Sequence, residues 1–194
     1  MTNIDFRRRG LLRASGATVL SASAVALLAG CEKIATAQTN GSSNTQGDVQ
    51  ILNVALALEH EAISAYQLGA MSGLLQKPVL DVAMLFQSHH KEHRDALIAT
   101  IRKMGGTPIA AKSDAEIGRA LNAASLKSQA DVLRLAQRLE RGAANAYLGV
   151  IPSFGDKGLA QVAGRLAADE TMHWTALASA VGEMLPQKAL TFGA

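Results

Sequence analysis

The chain has one cysteine, Cys31, in 194 residues. A lone thiol cannot form an intrachain disulfide, so stability must come from packing. Prolines are equally scarce. The four present, Pro78, Pro108, Pro152 and Pro186, all fall where a helical pattern stops or a connector runs, which leaves long stretches without a helix breaker. No segment shows the apolar–polar alternation of a strand, which excludes a sheet-based fold. Past Cys31 there is also no excess of charge. The signal-like first 31 residues hold four Arg and one Asp, leaving 15 basic and 15 acidic residues, so the pI near 9.2 belongs to the amino terminus and the mature part gives no case for nucleic-acid binding.

The amino terminus reads as an export signal. "RRRGLL" (7–12) is a basic segment, "ATVLSASAVALLAG" (17–30) an uncharged apolar run too short to favour a membrane span, and small residues lead to Cys31. Arg8-Arg9 followed by Gly10 and two leucines resembles a twin-arginine signal, with Arg13 as a further basic residue. Leu28-Ala29-Gly30-Cys31 resembles a bacterial lipobox. Residues 1–31 are therefore expected to be a signal ending at a lipidated Cys31, and the protein to be a periplasmic lipoprotein anchored to the membrane, or secreted if Cys31 is not acylated. Residues 32–49, rich in Gly, Ser, Thr, Asn and Gln, read as a flexible tether.

From residue 50 apolar positions fall at helical spacing. Ile51, Leu52, Ala55, Leu58, Ala62, Ile63 and Tyr66 form one stripe running to about Leu75, where Pro78 ends it. A second helix is expected from Val79 to Met104, ended by Gly105-Gly106. The connector 105–127 contains Ser113 and Glu116, a capping box that opens a short helix. A third long helix spans Ser128 to Val150 and a fourth Leu159 to Met184, with residues 185–194 as a tail. The pattern predicts an all-α four-helix bundle over 50–184, with one long crossover between helices 2 and 3. Alanine-rich inner faces suggest close helix approach and a compact bundle without a wide ligand cavity. Trp174 and the methionines read as packing.

The halves repeat. "LEHEAISAY" (58–66) matches "LERGAANAY" (139–147), and "HKEHRDAL" (90–97) matches "ETMHWTAL" (170–177). Glu59 and Tyr66, like Glu140 and Tyr147, stand seven residues apart, so each pair shares the inward stripe. A buried, unpaired carboxylate costs several kcal/mol, which calls for a cation or hydrogen-bond partner. Helix 4 offers Glu170 and His173 at i, i+3, and helix 2 offers His90 and His93 likewise. Oxygen and imidazole donors of this kind suit iron, manganese or zinc. His89, one position off the stripe, is a poorer ligand candidate, and His60, Glu61, Glu92 and Arg94 read as solvated.

One Glu from each of two helices with a Glu-x-x-His from each of the other two resembles the di-iron site of ferritin-like carboxylate proteins. The resemblance covers residues 50–184 and implies a ferritin-like bundle. It implies that Glu59 and Glu140 are terminal ligands, Glu170 a bridging carboxylate, and His93 and His173 terminal imidazoles, with Tyr66 and Tyr147 beside the site. His90 departs from it, because the family pattern has a second bridging Glu there and an imidazole cannot bridge two metals as a carboxylate does. Three outcomes stay open: two metals under one carboxylate bridge, one metal on the His-rich side, or none. The implied function is metal binding, with oxidoreductase chemistry toward oxygen or peroxide through a redox partner the sequence does not name. A homodimer is among the assemblies left open. The competing reading is a metal-free interaction module in the cell envelope.

Overall fold

A computed structural model describes residues 41–193. The signal, Cys31 and residues 32–40 of the expected tether lie outside the described residues. The helices are α1 (Gly41–Met71), α2 (Lys77–Lys103), α3 (Asp114–Ala120), α4 (Gln129–Val150) and α5 (Lys157–Ala180), with 3-10 turns at Ala123–Ser125 and Ile151–Ser153. No strand occurs among the described residues, and no helix there is long and apolar enough to cross a membrane.

The long helices form two hairpins, α1 on α2 and α4 on α5, which pack together with α1 against α4. Since α2 ends at the opposite end of the bundle from where α4 begins, the chain between them must travel its length. Asn53 holds the start of that crossover, donating to the Thr107 carbonyl at 3.1 Å and accepting from the Ile109 N–H at 2.9 Å. Farther on, Ile117 is buried and α3, capped by Ser113 and Glu116 as the sequence predicts, lies on α1.

Glycine ends two of the bundle helices. After α2, Gly105 takes a φ of 78°, and the Gly105 and Gly106 N–H groups close back on the carbonyls of Arg102 and Ile101. After α5, Gly182 does the same with a φ of 71°, its N–H and that of Glu183 bonding to Ser179 and Ala178. These are Schellman closures, which satisfy carbonyls that the helix leaves unpaired. The second stops α5 at Ala180, short of the expected Met184 and ahead of Pro186. Pro78 is not a breaker between helices either. It sits in the first turn of α2, where a missing N–H costs nothing.

Two further expectations are corrected. Residues 41–49, read as tether, belong to α1. Their polar composition hid a tertiary anchor: buried Asp48 accepts from the backbone N–H groups of Gly155 at 2.9 Å and Asp156 at 3.2 Å, tying α1 to the turn before α5. The tail also folds back, with the Phe192 ring 5.1 Å from that of Trp174 and the Gly193 N–H donating to Asn145. Nor is the bundle compact throughout. A cavity of about 600 Å3 opens in its α1–α2 turn end, lined by Ala62, Ala83, Ala136, Ala143, Ala176 and Ala180 among others. Small side chains permit close approach but do not enforce it, and here they leave space.

The core forms two apolar clusters. Leu52, Leu56, Leu97, Ile101, Tyr147 and Leu166 pack at one end, and Tyr66, Phe86, Leu133 and Leu177 at the other. Each fully buried Leu contributes about 1.5–3 kcal/mol. Between the clusters lies a polar layer.

Asp48→Ala should strand the two N–H groups of the 154–156 turn and lower stability by about 1–3 kcal/mol. Thermal melting checks this, and an unchanged midpoint would show that the amino-terminal turns of α1 are not docked.

Candidate metal centre

The polar layer contains all six residues expected to converge. Glu59 comes from α1, His90 and His93 from α2, Glu140 from α4, Glu170 and His173 from α5, and every one is buried. Stripe position explains this: each sits on the inward face already occupied by apolar neighbours one or two turns away.

The two halves support each other crosswise. The Tyr66 hydroxyl on α1 donates to Glu140 on α4, and the Tyr147 hydroxyl on α4 donates to Glu59 on α1. Burial, reinforced by these carboxylates, pushes both phenols well above their usual pKa, so they remain donors. Each carboxylate thus has one oxygen held by the opposite hairpin.

His90 lies between the terminal carboxylates. Its Nδ1 is 2.8 Å from Glu59 and its Nε2 is 3.3 Å from Glu140. Donation from both nitrogens requires the imidazolium. Burial works against that form, but hydrogen bonds to Glu140 and Glu59 outweigh it and raise the pKa well above the ordinary value. Glu140 is likewise held well below the usual carboxylate range, its contacts with Glu170, His173 and His90 overcoming the cost of burial.

Glu170 behaves differently. One oxygen lies 3.3 Å from His93 Nδ1 and the other 3.5 Å from His173 Nδ1, yet neither makes a hydrogen bond, and His93 Nδ1 is equally unpartnered. Burial, with the Glu140 carboxyl beside it, pushes Glu170 up to about 7. His93 goes the other way: burial lowers it, but Glu170 and Glu59 lift it to about 10. Buried acceptors without donors are rare in folded proteins and need an explanation. A cation between Glu170 and its neighbours supplies one. The donor atoms form two overlapping groups, Glu59, His90, His93 and Glu170, and His90, Glu140, Glu170 and His173, each within 4.8 Å. Glu170 and His90 belong to both. Three carboxylates and three imidazoles in this packing fit one or two divalent ions of the iron, manganese or zinc type.

Two supporting residues escaped the sequence reading. His89, set aside as off the stripe, has its Nδ1 2.9 Å from His173 Nε2, and Asp169 has a carboxylate oxygen 3.2 Å from His93 Nε2. Such partners on the outer nitrogen fix the ring and leave Nδ1 facing the site. The signal was in the repeat. His89 precedes His90 as Asp169 precedes Glu170, and each braces the ligand-bearing His of the other half. Of the residues read as solvated, His60 is half-buried, with an unpartnered Nε2, and lies outside both ligand groups.

Among solved structures, a conserved hypothetical protein from Mycobacterium tuberculosis is similar to this chain, with 24% identity and a TM-score of 0.64 over 76% of this chain and 99% of that one. That likeness concerns the fold alone. No curated protein matches. The family model described as a ferritin-like domain matches residues 47–183. Taken with the bundle and its buried Glu and His groups, this match shows that the chain belongs to the ferritin-like domain family.

Proposed function

We propose that this protein is an exported ferritin-like protein that binds iron, or manganese or zinc, at the bundle centre and carries oxidoreductase chemistry toward oxygen or peroxide. The observation that supports it most is Glu170, whose two buried oxygens accept no hydrogen bond and face a different imidazole each. When bound, a redox-active metal supplies the electron transfer that no side chain in this layer can supply alone.

The chain's own residues do the rest. Glu59 and Glu140 bring anionic oxygens from opposite hairpins, with Tyr147 and Tyr66 fixing their orientation. Asp169 accepts from His93, and His89 pairs with the outer nitrogen of His173, so both rings present Nδ1 inward. The apolar clusters on either side keep bulk water out and strengthen the electrostatics of the layer. His90 holds Glu59 and Glu140 together by proton-mediated contacts, and must give up a proton to become a ligand.

Purified mature domain loaded with iron, manganese or zinc should retain stoichiometric metal, and the Glu140→Ala, Glu170→Ala double variant should retain none. If wild type retains none either, the reading fails. Uptake at pH 7 should also release protons, since His93 titrates near 10 without metal. Proton and metal compete for the same nitrogen, so apparent affinity should rise with pH up to that value, by about tenfold per unit for each proton displaced. Titration in weak buffer checks this, with an unchanged pH as the contrary result.

Export rests on Arg8-Arg9 and on Leu28 to Cys31. A twin-arginine route carries folded proteins, which would let the metal be chosen in the cytoplasm, and acylated Cys31 would tether the bundle to the membrane. Replacing Arg8 and Arg9 by lysines should strand the precursor in the cytoplasm. Normal export of that variant would contradict the route.

A further inference from the structure

The cavity of about 600 Å3 has walls from α1, α2, α4 and α5, and residues Leu121 and Leu126 of the crossover complete them. This volume falls within the usual range for small-molecule sites, roughly 300–1,000 Å3. Its lining is overwhelmingly Leu, Ala, Val and Phe. Its polar lining residues are Tyr66, His90 and Glu140 at the inner end, which are engaged with one another or with Glu59, together with Glu61 and Ser72, whose hydroxyl donates to the Gly69 carbonyl.

Those facts decide what can occupy it. The space equals the liquid volume of roughly twenty waters, each of which needs two to four polar partners, far more than five polar side chains can supply. A charged guest would find no free counter-charge at the inner end and would lose its hydration. A partner helix, about 10–12 Å across with its side chains, needs an open groove, whereas this space is bounded by all four bundle helices. Native interiors are otherwise close-packed, so an apolar void of this size is unlike ordinary core.

We propose that the cavity is a binding site for a small, uncharged, apolar organic molecule, seated with one end against Tyr66 and His90. Alanines on all four bundle helices provide its width: Ala62, Ala83, Ala136 and Ala176 each stand where a larger residue would fill it. The binding claim is independent of metal. That the guest would lie beside a metal rests on the reading of the centre given above, and would make apolar molecules the substrate class of that site.

The test uses N-phenylnaphthylamine, an uncharged fluorophore that brightens in apolar surroundings, titrated into metal-free and metal-loaded mature protein. Wild type should bind one probe per chain in both forms. Ala136→Phe and the milder Ala83→Leu should each weaken binding by about tenfold or more, with circular dichroism and metal content unchanged. Absence of brightening with wild type, several equivalent probes per chain, or undiminished binding by both folded variants would overturn the proposal. Metal retained without probe binding sinks the cavity proposal alone, and probe binding without metal sinks the metal reading alone.

Discussion

Three carboxylates buried in the middle of a helical bundle set the terms for everything around them. Glu59, Glu140 and Glu170 are each at most 2% exposed, and an unpaired charge so placed costs several kcal/mol, a large share of a domain's whole stability. That cost is met by groups from both hairpins. Tyr147 on α4 serves Glu59 on α1, Tyr66 on α1 serves Glu140 on α4, and the imidazoles of α2 and α5 face carboxylates from other helices. The tyrosine donors reach Glu59 and Glu140 only from the opposite hairpin, so the site is complete only once the bundle closes. The apolar clusters above and below then act twice, as core and as the water-excluding walls that make these contacts strong.

Where the sequence was readable, it was readable through period and repetition. Apolar spacing placed four long helices, glycine after α2 and the Ser113–Glu116 box marked ends correctly, and Glu and Tyr recurring seven residues apart in both halves identified the inward stripe. What it could not show was where off-stripe positions reach. His89 and Asp169 are rotated about 100° from that stripe, which means solvent on an isolated helix and the neighbouring helix in a bundle. The same limit hid Asp48, whose polar surroundings looked like tether until the turn at Gly155 came within hydrogen-bond reach. Alanine misled in the opposite direction, since side-chain size alone does not say whether two helices close the space between them.

His90 is where this chain leaves the pattern of the carboxylate site it resembles, and its geometry gives the exchange a physical meaning. A glutamate there would add a fourth carboxylate to the three already buried in this layer. The imidazole instead reaches Glu59 with one nitrogen and Glu140 with the other, and as an imidazolium it offsets part of the carboxylate charge, as His93 does beside Glu59 and Glu170. With His90 and His93 held above their ordinary pKa by the surrounding carboxylates, a metal entering this layer would displace protons. His90 also forms the inner end of the apolar cavity together with Tyr66 and Glu140, so the residue that departs from the pattern is among those that join the two compartments.

The central claim is that Glu170 and its neighbours hold metal while His90 spans the terminal carboxylates. Anomalous-scattering maps of crystals grown from metal-loaded protein test it directly. The account predicts a peak at the bundle centre with Glu170 among the ligands, on the His93 side, the His173 side or both. A map without a peak, with His90 still set between Glu59 and Glu140, would contradict it.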